Sequence, residues 1–290
     1  VSLALIPNNK LVLLGVGQTA RAFARYVQDD GLEVWGTTRG AVAQSPGEAG
    51  ASQSAIRMVS LQDKPDLAAL CAGACVLVSF PPDGTSDRLL QEQISDAAIV
   101  YISSTAVYGG KSGVIDNASA ADIDSVDSRV TNRLAAESIW RQAGAVVLRA
   151  PGLYSPESGM HKRIASGNYR LPGDGSNYVS RIHLDDLAAI IAGAFSSLCD
   201  PSADTHANTY DNTYVTADLK PSTHKEVAEW LCQRLRLPLP QAVPLDQVDI
   251  TLRGNRQIDS RQTLERFKVK LKYPSYVEGF EQCIAASGMA

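Results

Sequence analysis

The stretch Lys10-Leu-Val-Leu-Leu-Gly15-Val-Gly17-Gln18-Thr19-Ala20-Arg-Ala-Phe-Ala-Arg-Tyr-Val27 decides the fold. An apolar run of strand length enters a glycine turn, and the turn opens onto an alanine-rich stretch with helical periodicity. Gly15 permits the tight turn after the strand. Gly17 has no side chain to hold a pyrophosphate off the backbone, and Ala20 is small enough for helix and strand to pack closely. The phosphates would sit where the free N–H groups of the helix start, around Gln18 and Thr19, and the helix dipole favour negative charge. The segment therefore predicts the first βαβ unit of a dinucleotide-binding domain.

Strand-like and helix-like stretches alternate through the first half of the chain. Leu11–Leu14 precedes a helix over about Thr19–Asp29. Strands follow at Glu33–Thr37, Ile56–Val59, Cys75–Ser79, Ile99–Ser103 and Val146–Arg149. Leu89–Ser95 falls in a helix after the fourth strand, and a long helical pattern covers about Asp127–Ala143. Nearly continuous apolar strands imply a parallel sheet covered on both faces, which is a doubly wound α/β fold. After Pro151 the pattern changes to a segment rich in Gly, Pro, Ser and Asn. A helix returns at about Leu184–Phe195, and 199–213 reads as a polar loop. Tyr214-Val-Thr is a short strand candidate. Thr223–Arg236 is an amphipathic helix stopped by Pro238 and Pro240, and Leu264–Phe280 reads as one short helix with a proline turn.

Composition narrows the function classes. The chain has 290 residues, 44% hydrophobic and 20% charged, with a formal net charge of −4. That balance recommends neither a nucleic acid nor an anionic membrane as partner. No apolar run approaches the roughly 20 residues of a membrane helix. The opening Val1–Pro7 is short for a signal peptide and lacks a basic start. The five cysteines (71, 75, 199, 232 and 283) are odd in number and widely spread, as for reduced, mostly buried thiols in a cytoplasmic protein. The four histidines form no spaced pair, so no metal site is expected.

The cofactor type is read at the end of the second strand, where an acidic residue accepts the adenosine ribose hydroxyls and an arginine accommodates a 2′-phosphate. Here the strand ends Trp35-Gly-Thr37-Thr38-Arg39, with no carboxylate. Arg39 can give parallel charge-assisted bonds to a phosphate and Thr37 or Thr38 a hydroxyl donor, which favours NADP(H) over NAD(H). Ser79-Phe80-Pro81-Pro82 ends the fourth strand at the ligand-binding edge, and is expected to line the ribose or pyrophosphate channel.

Ile102-Ser-Ser-Thr-Ala-Val-Tyr-Gly109, together with the glycine turn, resembles the extended short-chain dehydrogenase/reductases, the NAD-dependent epimerase/dehydratase family. Val147–Tyr154 and Arg181–Ala188 look like that family's later segments, so the resemblance spans about residues 10–280. It implies a Rossmann-type domain over 1–151 with a returning segment at about 181–198. A small discontinuous C-terminal substrate domain would cover 152–180 and 199–290. It also implies nucleotide sugars or related hydroxy or keto compounds as substrates. By the family's spacing, Ser104 takes the place of the catalytic Ser/Thr, with Thr105 beside it; either hydroxyl can orient a substrate carbonyl or satisfy the strand end. Ser103 and Pro151 fall beside the cofactor. Where the family has a Tyr-x-x-x-Lys pair on the next helix, this chain has Arg129 and Arg133. An arginine cannot exchange a proton near neutral pH. Arg133 can still bond the nicotinamide ribose, and Arg129 would offer fixed positive charge to a reacting oxygen. The chain therefore resembles the atypical members of the group.

If the protein is catalytic, another acid must serve, with Tyr154, Tyr108 and His183 the candidates in that order. Arg149 and Arg181 either reach a substrate phosphate or are paired structural charges. Asp185-Asp186 reads as capping and dipole chemistry. Ser86–Ser95 and Arg129–Ile139 are faces through which family members pair as homodimers. Two functions follow: an NADP-dependent oxidoreductase or epimerase/dehydratase-like enzyme acting on a small molecule, or a catalytically silent NADP(H)-binding redox sensor or partner-binding protein.

Overall fold

The computed structural model describes residues 7–40, 56–200 and 211–289. Most of the opening heptapeptide and most of the expected loop at 199–213 lie outside those residues. In chain order the first half contains β1 (Lys10–Leu14), α1 (Gln18–Tyr26), β2 (Glu33–Thr38), β3 (Arg57–Ser60), α2 (Leu67–Cys71), β4 (Cys75–Val78), α3 (Ser86–Gln91), β5 (Ala98–Ser104), β6 (Ser112–Ile115), α4 (Ser128–Gln142) and β7 (Val146–Ala150). The second half contains β8 (Gly152–Tyr154), α5 (Met160–Ala165), β9 (Leu171–Pro172), β10 (Tyr178–Val179), β11 (Arg181–His183), α6 (Leu184–Cys199), β12 (Thr213–Val215), β13 (Ser222–Thr223), α7 (His224–Leu235), β14 (Ala242–Val243), β15 (Asn255–Ile258), α8 (Arg261–Arg266) and α9 (Tyr276–Ala286).

The main sheet runs β3-β2-β1-β4-β5-β7-β12, all parallel. From β1 the chain builds outward through β2 and β3, then crosses back to β4 and builds the other way. The switch point between β1 and β4 opens a crevice at the carboxyl ends of these strands, where ligands bind in such sheets. Alternate residues explain the two cores. Leu11 and Leu13 face α1 and α6, with Phe23, Ile191 and Phe195. Val12, Leu14, Val76 and Tyr101 face the other side, under Trp140 of α4. Each large apolar side chain so buried contributes roughly 1.5–3 kcal/mol.

Tyr154, Tyr169, Leu231, Phe280 and Ile284, all from segments after Pro151, form a separate core. Its division from the first differs from expectation. β12 pairs with β7 as a seventh strand of the main sheet, and Leu264, Phe267 and Leu271 pack into the first core. Parts of 199–290 therefore pack with the main sheet rather than apart from it. The C-terminal stretch forms two helices where one was expected. Ser275 and Glu278 form a reciprocal capping box that starts α9, a signal present in the sequence. α3 ends at Gln91, leaving Glu92–Ser95 beyond it. β15 lies parallel on β6, with Arg256 opposite Gly113, which carries a C-terminal segment over the turn that follows β5.

Candidate functional site

The glycine turn is built as a cradle. Gly15 has φ +85°, and a Cβ there would come within 2.9 Å of the Phe80 Cβ, so only glycine fits. Its N–H donates to Thr37 Oγ1 at 3.2 Å, and Ser79 Oγ donates to its carbonyl at 2.9 Å. A Cβ on Gly17 would meet no atom within 4 Å, so the backbone there faces open space. That space is a cavity of about 450 Å³ lined by Gly15, Gly17, Thr38, Arg39, Ser79, Phe80 and Pro81. Seven residues expected at the cofactor from three separate segments thus share one cavity. The side chains of Thr19 and Ala20 are buried beneath it, and Gln18 Oε1 accepts from Ser158 Oγ at 2.7 Å, joining the cradle to the second domain. The N-terminus of the nine-residue α1 and the unobstructed glycine backbone fit a dinucleotide pyrophosphate.

Arg39 is exposed, with Nη1 3.5 Å from Asp83 Oδ2. Hydrogen bonds from the side chain and backbone of Ser86, then from Thr85, hold the Asp83 carboxyl well below the usual carboxylate range. A charged carboxylate therefore stands beside the arginine even though none follows β2 in sequence.

A second cleft opens where β5 ends. Ser104 Oγ accepts from the Ala106 N–H at 3.1 Å. Two cavities of about 340 and 610 Å³ share Ser104, Ala106, Thr251, Gly254 and Arg256 in their walls. The smaller is also lined by Thr105, Pro151, Tyr178 and His224, the larger by Arg129 and Arg133. Ser104 thus stands in both walls, Thr105 and Pro151 in one and Arg129 and Arg133 in the other. The helix that carries the two arginines, α4, contains neither tyrosine nor lysine. Arg129 is engaged through Nε and Nη2 with both oxygens of Asp127, at 3.1 and 2.5 Å, so much of its donor capacity is taken.

Other expected residues lie elsewhere. Ser103 faces away from the cleft, because neighbours along a strand point oppositely, and donates to Glu137 Oε1 at 2.6 Å in the interior. Tyr154 is walled into the second core, its ring 4.5 Å from that of Phe280 and 5.2 Å from that of His183. Its hydroxyl has no hydrogen-bond partner among the described residues, and burial pushes its phenol up. The Tyr108 hydroxyl accepts from Arg149 Nη1 at 3.1 Å inside the protein. His183 caps α6, with Nδ1 accepting from the Asp185 N–H at 3.1 Å. None of the three lines either cleft cavity, so none is placed to act as the acid. Arg149 pairs with Glu137, and buried Arg181 lies 3.9 Å from Asp218, so both are structural charges. Asp186 accepts from the N–H groups of Lys272 and Tyr273, at 2.6 and 3.0 Å, and anchors the segment before α9.

Tyr178, His224, Arg163 and Arg256 were not legible as site residues, since they come from four elements with no shared spacing. Tyr178 is half-buried on β10, held by pairing with Thr223 and by its N–H donating to Asn255 Oδ1 at 2.9 Å. Burial lowers the His224 imidazole to about 4, so it is neutral. Its Nδ1 lies 2.7 Å from the Tyr169 hydroxyl. Among the described residues no group of three His, Cys, Asp or Glu could hold a metal ion, and no helix is long and apolar enough to cross a membrane.

No family model and no curated protein matches the chain. Solved structures do. A functionally unknown conserved protein from Silicibacter pomeroyi DSS is 25% identical with TM-score 0.76, over 96% of this chain and 99% of that one. A candidate NAD-dependent epimerase/dehydratase from Methylobacillus flagellatus is 20% identical with TM-score 0.68, over 97% and 98%. The human epimerase family protein SDR39U1 (isoform 2), solved with NADPH, is 16% identical with TM-score 0.69, over 95% and 99%. The Rossmann-type α/β fold is the one these proteins share.

Proposed function

We propose that the protein binds NADP(H) along the carboxyl edge of the main sheet and is an oxidoreductase of the epimerase/dehydratase kind. Its substrate is a nucleotide sugar or a small hydroxy or keto compound. The observation that carries this reading is the shared cavity of Gly15, Gly17, Arg39, Ser79 and Phe80 at the switch point of the sheet. The naming of NAD and of NADPH among structurally similar proteins supports a nicotinamide dinucleotide. Arg39 supports the phosphorylated form, because its fork matches a 2′-phosphate and no carboxylate follows β2.

The bound cofactor would supply or accept a hydride. The chain's own residues then supply orientation and a proton. Ser104, at the end of β5, offers its hydroxyl to the substrate oxygen. Arg133, in the wall of the larger cavity, would bond the nicotinamide ribose. Tyr178 is the tyrosine that shares a cavity with Ser104, and its hydroxyl has no hydrogen-bond partner among the described residues, so it is the proton donor of this reading. The second reading, a silent NADP(H)-binding sensor, is favoured by one specific observation: α4 has no tyrosine or lysine facing the cleft.

Incubation with deuterated NADPH and a panel of sugar nucleotides, aldehydes and ketones separates the two. Deuterium in a product, diminished at least tenfold by Tyr178→Phe, supports the enzyme, since general acid catalysis is typically worth about 10²–10⁴-fold. Cofactor binding without label transfer to any compound supports the sensor.

A further inference from the structure

The smaller cavity beside Ser104 has an unbalanced charge. Arg163 and Arg256 line it, and no aspartate or glutamate does. Neither arginine has a carboxylate within ion-pair distance among the described residues. The Arg256 guanidinium is half-buried and donates through Nη1 to the Gly109 carbonyl, a neutral partner. Burial lowers its pKa with no carboxylate to offset it. Such a cation normally finds an anion or is replaced. Gly254 leaves space for it: a Cβ there would come within 2.8 Å of Arg256 Nη2. The strand that carries it is fixed by Ser180, whose Oγ donates to the Arg256 carbonyl at 3.1 Å and accepts from the Ile258 N–H at 2.9 Å. Arg163 stands over the Tyr169 ring, 5.3 Å from its centroid, leaving its N–H edge free. Of the other titratable groups nearby, His224 is neutral, and the Asp249 carboxylate acts on Arg163 but forms no ion pair with it and does not line the cavity.

Arg256 lies in the wall common to both cavities, as does Ser104. The anion it would hold therefore shares a cavity with the reacting oxygen. In a nucleotide sugar the phosphates stand a sugar ring or more away from a reacting ring carbon. We propose that the substrate is a short hydroxy or oxo acid, a carboxylate or a phosphate ester, whose anionic group is held by Arg256 and Arg163 while its reacting oxygen lies at Ser104 and Tyr178. This rests on the oxidoreductase reading above and narrows its substrate class.

The test is calorimetric titration with 2-oxobutyrate, with its methyl ester, with dihydroxyacetone phosphate and with UDP-glucose, each with and without saturating NADP⁺. The acid or the phosphate ester binds at least about tenfold more tightly than the neutral ester, as expected of one charge-assisted fork. Whichever of the two anions binds better identifies the source of the charge. Arg256→Met removes that preference, Arg256→Lys keeps part of it, and Arg163→Met, at an exposed position, weakens it independently. Equal binding of acid and ester, tighter binding of UDP-glucose, or no binding of any probe overturns the proposal. A parallel titration with NADP⁺ and NAD⁺ alone reports on the cofactor reading. Dinucleotide binding without anion selectivity sinks only the substrate class; anion selectivity without dinucleotide binding sinks only the oxidoreductase.

Discussion

The Arg149 guanidinium closes on the Glu137 carboxylate through two parallel bonds, Nε to Oε1 at 3.0 Å and Nη2 to Oε2 at 2.7 Å. Arg149 belongs to β7 and Glu137 to α4, so this buried fork sets how the helix bearing Arg129 and Arg133 sits on the sheet. Ser103 and Tyr108 complete the network. Removing one partner of such a pair leaves an uncompensated buried charge. Glu137→Ala should therefore cost about 3–5 kcal/mol in urea unfolding, and the double variant with Arg149→Met should recover part of that loss.

Gly15→Ala should destabilise by roughly 1–3 kcal/mol, because the new residue is held at positive φ and its Cβ presses on Phe80. The same change should weaken dinucleotide binding, read by intrinsic fluorescence or calorimetry. Gly17→Ala, where a Cβ meets only open space, should leave stability within about 1 kcal/mol while still obstructing the cofactor.

Arg39→Met should reduce NADPH affinity by about ten- to a hundredfold and leave NADH affinity nearly unchanged, the expected loss for a charged hydrogen bond of roughly 1.5–3 kcal/mol. Thermal stability should not move measurably, since the pair with Asp83 is exposed. An unchanged NADPH-to-NADH ratio would remove the phosphate role of Arg39.

Asp218 gives a pH signature. Burial raises its carboxyl from 3.8 to about 7, against the opposing pull of Arg181. Between those values the native state holds a proton that the unfolded state has lost. The contribution to stability is therefore present in full below about 4, declines as pH rises toward 7, and is flat above. Urea midpoints across that range should show this slope, and Asp218→Asn should lack it.

Cys75 and Cys199 have their sulfurs 4.0 Å apart, in hydrogen-bond contact. Cys75 is fully buried at the start of β4, whereas Cys199 is half-exposed at the end of α6. With its neighbour's proton to share, Cys199 ionises more readily and should be the first thiol alkylated by iodoacetamide at pH 8, as peptide mapping would show. Cys199→Ser should abolish that early labelling without exposing Cys75.

Local chemistry made half of this protein readable in the chain itself. A strand, a glycine turn and a small-residue helix at 10–27 have one sensible folded form, because the turn requires glycine and the strands that follow are apolar on both faces. The same local rules marked Ser79–Pro81 and Arg39 as edge residues, since position at a strand end is a property of neighbouring residues. Tertiary structure alone decided the rest. It turned Ser103 inward and Ser104 outward, closed Tyr154 into a core, and sent β12 back to the first sheet. It also brought Tyr178 and Arg256 to Ser104 from segments some 70 to 150 residues away. Such meetings are fixed by long-range packing of β15 on β6 and β10 on β13, and no spacing within the chain records them.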